Sequence, residues 1–255
     1  MTDRQPRLPH DLPLTRLLPN MLTLMALCSG LTGMRYALLG KWNEAVLAIV
    51  IAGIFDMLDG RVARLLNITS KFGAELDSLS DAVSFGVAPG FILYQWTLKD
   101  NAGSLGWIAV LAYSVCAALR LARFNTMLDD QAQPNWAKGF FTGIPAPGGA
   151  GLALWPLMIF LEFGDVAMVP PAVLSFWLIF VGGLMVSRLP TLALKGWRIS
   201  PAWVTPIFVV VAALIAALVT NPWMTLSGIG FVYLLSMPVG WFSYSRKMKR
   251  ERTLL

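Results

Sequence analysis

Four aspartates carry the most pointed chemistry in this sequence. Asp56 and Asp59 stand three residues apart, Asp77 and Asp81 four apart, and both pairs sit in or at the edge of apolar stretches. On helices these spacings put the members of a pair on one face. The connection from Leu66 to Phe72 is short, so the two helices are expected to be antiparallel neighbours with the pairs facing each other. An unpaired carboxylate in an apolar span costs roughly 2.5–3.5 kcal/mol on insertion scales, and four like charges cannot gather unneutralised. Arg61, Arg64 and Lys71 can offset part of the charge. Either a carboxylate–arginine network or hard cations can balance the rest. A cluster made only of carboxylate oxygens, with no His or Cys nearby, suits Mg2+ or Mn2+, as a pair about 3.5–4 Å apart.

The elements that must position these groups are membrane helices. Of 255 residues, 56% are hydrophobic and 13% charged, about half the charge density of a soluble domain. Apolar stretches near 20–40, 45–66, 74–96, 105–125, 147–163, 170–190, 203–220 and 223–243 are each long enough to cross a bilayer, which takes about 20 residues. The fold class is therefore all-α, a polytopic bundle of about eight transmembrane helices. Eight crossings put both termini on one side. Loops on that side hold Arg61, Arg64, Lys71, Arg120, Arg123, Lys138, Arg188, Lys195 and Arg198, together with Arg4, Arg7, Arg16 and a basic tail from Arg246 to Arg252, whereas Lys41 and Lys99 lie opposite. The positive-inside rule makes both termini cytoplasmic. This places the four carboxylates near the cytoplasmic face.

Three regions follow: a leader over 1–18, a membrane domain over 19–245 and a basic tail over 246–255. Residues 8–18 suggest a short interfacial helix, and the leader lacks the apolar core of a secretory signal. The tail and the net charge of +6 favour anionic membrane lipids; nothing suggests nucleic acid. Cys28 and Cys116 lie in separate apolar runs and form no metal or redox motif. His10, the one histidine, lies in the leader.

Small residues accompany the acids. Gly60 and Ala63 follow Asp56 at i+4 and i+7, and Gly73 precedes Asp77, leaving room for a ligand against the helix backbone or for close helix packing. The full string Asp56-x2-Asp59-Gly60-x2-Ala63-Arg64-x8-Gly73-x3-Asp77-x3-Asp81 resembles the signature of the CDP-alcohol phosphotransferase family at every fixed position. The resemblance implies an integral-membrane enzyme, usually a homodimer, that displaces CMP from a CDP-linked lipid by an alcohol at a divalent-metal site. It further implies that Asp56, Asp59 and Asp77 are metal ligands and that Asp81 is the general base, also able to touch a metal. Gly60, Ala63 and Gly73 would make room for the cytidine nucleotide, and Arg64 would hold phosphate.

Segments from Leu18-Pro19-Asn20 through Ser70–Asp81 and Ser84–Pro89 to Ala118–Asn125 and Phe141–Pro147 look like the membrane-embedded phosphatidylserine synthases of that family. This implies CDP-diacylglycerol and L-serine as substrates, in a bacterial-type inner membrane with the site facing the cytoplasm. Serine presents a carboxylate, which Arg120 and Arg123 can grip by bidentate forks, with Asn125 adding an amide contact; the alternative is that the two arginines only anchor the helix end at the interface. Asn20 and Thr23 can donate to the diphosphate, or Asn20 can simply cap the first span after Pro19. Alternative acceptors within the family are glycerol 3-phosphate, inositol and choline; choline would call for aromatic faces around its ammonium. A divalent-cation transporter is the alternative outside it, opposed by the absence of matching acids in the second half of the chain.

Overall fold

The structure is a computed structural model, and it describes residues 17–66, 70–128, 140–164, 169–187, 190–192, 200 and 203–252. Helix α1 spans Leu18–Leu38 and α2 spans Trp42–Leu65. Helix α3 runs over Lys71–Leu98, and α4 over Gly103–Leu128. Helices α5 (Ala146–Ala153) and α6 (Trp155–Phe163) meet at a 41° bend. Then come α7 (Pro171–Val186), α8 (Val204–Thr220) and α9 (Pro222–Arg252). A helix thus occupies each of the eight expected stretches. Among the described residues three helices are long and apolar enough to cross a membrane, α1, α3 and α4 up to Thr126, or four if the bent pair counts as one span.

Two features depart from the purely helical expectation. Phe140–Thr142 (β1) pairs antiparallel with Pro190–Leu192 (β2), so the stretch read as one helix to residue 190 ends at Val186 and becomes a strand. The span expected at 147–163 is broken at Leu154. Residues 8–16 of the expected interfacial helix lie outside the described residues, as do Lys138, Arg188, Lys195 and Arg198.

Proline explains both the bend and a second irregularity. Pro156 has no N–H to give the carbonyl four residues back, which is that of Leu152; Trp177 of α7 donates its indole N–H to that oxygen at 2.9 Å. In α3 the α-helical turns of Lys71–Asp81 widen to π-helix over Ala82–Val87, return to α over Ala88–Leu93 and widen again over Tyr94–Leu98. Pro89 deprives the Phe85 carbonyl of its donor. Tyr113 of α4, fully buried, supplies one, its hydroxyl donating to the Phe85 oxygen at 2.7 Å. The next residue on α4, Ser114, donates to the Gly86 oxygen at 3.0 Å. Without water nearby, each freed carbonyl needs a side-chain donor, and these bonds lock α4 to α3 and α7 to α5.

Helix α1 packs closely on α2 and also touches α3. Small residues permit the approach: a Cβ on Gly33 would lie 3.1 Å from the Ala45 carbonyl, and one on Gly30 would lie 2.5 Å from the Ser84 hydroxyl and 2.8 Å from the Ser84 Cα. Ser84 uses this proximity to donate to the Ala26 carbonyl at 3.2 Å. The buried core is built from α1 to α7, with Met237 of α9 at its edge. No residue of α8 is buried, and an apolar helix so exposed suits lipid contact.

The proline account predicts a coupled pair of effects. Tyr113→Phe should lower stability by about 1–3 kcal/mol, the cost of a buried carbonyl left without a partner. In a Pro89→Ala background, where residue 89 regains an N–H for Phe85, the same substitution should lose less than half as much. Thermal unfolding of the four proteins in one detergent measures this; an undiminished loss in the alanine background would contradict the account.

Candidate functional site

The acids converge from α2 and α3, with α1 set between them. Ligand oxygens of Asp56, Asp59 and Asp77 lie within 4.8 Å of one another, Asp59 buried and the other two half-buried. The Asp81 carboxyl is within hydrogen-bonding reach of Asp56. The expected facing of the two pairs is therefore found, with Asp81 as the outlying member next to Asp56.

Helix α1 is the bracket that the carboxylate spacing alone does not reveal. The Thr23 hydroxyl donates to Asp59 Oδ2 at 2.7 Å, with the Pro19 carbonyl 3.1 Å away as a second acceptor. The Thr23 carbonyl in turn accepts from the buried Ser80 hydroxyl at 3.1 Å. One residue of α1 thereby grips Asp59 on α2 and Ser80, next to Asp81, on α3. Thr23 was expected to face the diphosphate. The spacing of the acids does not single out Ser80, although its place between Asp77 and Asp81 is a signal.

The other expected residues divide by what they touch. Asn20 Oδ1 approaches Gly73, where an added Cβ would lie 3.0 Å from it and 3.1 Å from the Ser70 hydroxyl. Ser70 caps α3, accepting from the Gly73 N–H at 2.9 Å. At Gly60 an added Cβ would meet only the Arg64 guanidinium, at 3.6 Å. Arg64 is exposed and Ala63 half-buried, so this flank of the acids is open on the side where Arg64 stands.

From α4, Arg120 lies within electrostatic reach of Asp81 and Asp56, and its buried Nε has no hydrogen-bond partner. Arg123 is differently engaged, one turn on: its Nη1 donates to the Val186 carbonyl at 2.8 Å and its Nη2 to that of Ser187 at 3.2 Å. A cation at these last carbonyls of α7 also meets the negative end of the helix dipole. Asn125 Nδ2 donates to the Ser78 hydroxyl at 3.0 Å, tying α4 to α3 between Asp77 and Asp81. The structure thus gathers Arg120 with the acids, while Arg123 and Asn125 brace the helices around them.

The donor set fits a hard divalent cation. Two unit charges 4.8 Å apart repel by about 3 kcal/mol at an effective dielectric constant of 20. Among the described residues one guanidinium, that of Arg120, stands against four carboxylates. Three carboxylate oxygens converging with no nitrogen or sulfur ligand are what Mg2+ or Mn2+ prefers.

Comparison with known proteins agrees with this geometry. The model of the CDP-alcohol phosphatidyltransferase family matches residues 16–182, and that of CDP-alcohol phosphatidyltransferase 2 matches residues 202–238. The chain is similar to the CDP-diacylglycerol–serine O-phosphatidyltransferase of Mycobacterium leprae, with 40% identity over 223 residues, covering 88% of this chain and 74% of that protein. It is 31% identical over 227 residues to the protein of the same name from Helicobacter pylori, covering 88% and 91% of the two chains. The namesake from Methanocaldococcus jannaschii is 44% identical over 120 residues, covering 47% and 51%. The first family match spans the whole carboxylate cluster, α1 and Arg120, and on these grounds the chain belongs to the CDP-alcohol phosphatidyltransferase family of membrane-embedded transferases.

Proposed function

We propose that this protein is a CDP-diacylglycerol–serine O-phosphatidyltransferase, forming phosphatidylserine and CMP. The observation that carries the reading is the convergence of Asp56, Asp59 and Asp77 within 4.8 Å, with Asp81 beside Asp56 and a partly unpartnered arginine, Arg120, alongside. Such a site pairs a diphosphate-binding end with a base and a cation for the acceptor. The names of the relatives point to serine.

Asp56, Asp59 and Asp77 would hold the divalent cations, Mg2+ or Mn2+, two to a site, with Asp81 able to share in the binding. Bound there, the cations would neutralise the diphosphate and the charge developing on departing CMP. Thr23 orients the Asp59 carboxylate for that task. Asn20, at the α3 N-terminus, and Arg64 take the diphosphate, and Gly60, Ala63 and Gly73 give the cytidine nucleotide its space. Arg120 grips the serine carboxylate, while Arg123 and Asn125 fix the walls of that pocket. Asp81 takes the hydroxyl proton of serine as its oxygen bonds to the lipid-side phosphorus. The bond from that phosphorus to the bridging oxygen breaks, and CMP leaves with that oxygen. Among the described residues near the cluster there is no histidine and each of the four aspartates already has a role, so displacement is direct.

The wider setting belongs to the same reading. The chain crosses a bacterial-type inner membrane eight times, with both termini and the site at the cytoplasmic face and the tail against anionic lipids. Residues 19–245 form the membrane domain, and two chains pair as a homodimer.

Three variants and an acceptor panel test these roles. Purified protein given CDP-diacylglycerol, Mn2+ and each alcohol in turn should release CMP with serine and not with glycerol 3-phosphate, inositol or choline; release with one of those instead would reassign the acceptor. Asp81→Asn should reduce turnover by 10²–10⁴-fold, the typical contribution of a positioned base, while CDP-lipid binding persists. Retention of more than about a tenth of activity would remove the base from Asp81. Thr23→Val keeps the shape but removes the donor to Asp59, and should weaken Mn2+ binding by roughly 10–100-fold, the usual cost of losing such a support; unchanged affinity would make Thr23 a packing residue only. Arg120→Ala should raise the serine requirement more than that for CDP-diacylglycerol, and equal effects would move Arg120 to the diphosphate.

A further inference from the structure

Two buried donors within electrostatic reach of each other have nothing to donate to. The Nε of Arg120 on α4 and the hydroxyl of Tyr233 on α9 are each buried and without a hydrogen-bond partner, and the two side chains lie within electrostatic reach of each other. Arg120 is in turn within reach of Asp81 and Asp56. A polar group shut away from water without a partner costs about 1–3 kcal/mol, and a fold does not ordinarily sustain two such groups in one region. Both can donate and one is fully charged, so an anionic oxygen group is the partner that would satisfy the two together. Neither is satisfied by the carboxylates that the cluster already holds.

We propose that Tyr233 is an acceptor-binding residue: its hydroxyl and the Arg120 guanidinium together receive the carboxylate of the amino-acid acceptor, making the last helix a determinant of acceptor choice. The proposal rests on the reading of serine as the acceptor and adds to it a residue from the second half of the chain. Helix α9 reaches this position by packing on α6 and on β2, and the Trp155 indole of α6 fixes it by donating to the Ser227 carbonyl at 3.0 Å. A substrate lacking the carboxylate would leave both donors orphaned, which is how a polar site rejects a near-isostere most strongly. Ethanolamine, serine without its carboxylate, is such a substrate.

The test uses full-length protein in mixed micelles with CDP-diacylglycerol and Mn2+. Tyr233→Phe keeps the ring and removes the hydroxyl. It should raise KM for serine roughly ten- to a hundredfold, as expected for a lost hydrogen bond to a charged group, with KM for CDP-diacylglycerol within about twofold. The preference for serine over ethanolamine should fall by a similar factor. In an Arg120→Ala background the Tyr233→Phe effect should shrink, because both donors serve one carboxylate. Serine protection against thermal unfolding gives a second readout that needs no turnover, and its midpoint concentration should rise by the same factor. A serine KM that stays within about twofold of wild type, or an equal rise in KM for CDP-diacylglycerol, overturns the assignment of Tyr233 and leaves serine as the acceptor. Failure of the wild-type protein to use serine at all overturns the acceptor reading itself, before any variant is compared, and takes Tyr233 with it.

Discussion

Mutual repulsion of four carboxylates in an apolar setting is the constraint around which the rest of the molecule is arranged. Asp56, Asp59 and Asp77 are held with their oxygens within 4.8 Å, a distance at which like charges in a low-dielectric surrounding push each other apart. Helices carrying them would separate unless something held them. That role falls to α1, whose Thr23 donates to Asp59 and accepts from Ser80, and whose Gly30 comes so close to Ser84 that no side chain would fit. Removal of water from the same region strengthens both the repulsion and the pull of any cation that relieves it. The site is therefore assembled against a repulsion that a bound cation would relieve, as in other proteins where metal binding and structure are coupled.

A second constraint follows from the apolar surroundings. Carbonyls freed by proline cannot turn to water, so at Phe85 and Leu152 neighbouring helices lend a tyrosine and a tryptophan. The first of these repairs sits one turn beyond Asp81, where π-helical turns begin. Widened turns of this kind often mark functional positions. Here the repair fixes the rotation of α3 relative to α4, and so the placement of Asp81 relative to Arg120. The proline that disturbs the helix and the tyrosine that mends it are parts of one positioning device.

Much of this was legible before any coordinates. Hydrophobic length located a helix in every expected stretch, because an apolar run is read directly from chain composition. The i,i+3 and i,i+4 spacing of the aspartates foretold their convergence, because helical periodicity is local. What escaped were facts of tertiary neighbourhood. Thr23 looks like a donor to substrate until α1 is seen lying against Asp59. Arg123 and Arg120 look alike in sequence, and only the nearby end of α7 gives Arg123 its two carbonyls. Tyr233 sits 113 residues beyond Arg120 in an apolar run with no motif to mark it. The break at Leu154 was foreshadowed by Pro156, whereas the short β1–β2 pair depends on a long-range encounter that no local pattern announces.

The central claim, that a divalent cation balances the carboxylate cluster, can be tested by comparing the thermal stability of the wild type and Asp77→Asn with and without metal. In chelator the variant, relieved of one repelling charge, should be at least as stable as the wild type. In saturating Mn2+ the order should reverse, since the wild type gains a complete ligand set and the variant does not. A wild type that is the more stable of the two in chelator, and by the same margin in Mn2+, would contradict the account: the carboxylates would then be balanced by the protein itself.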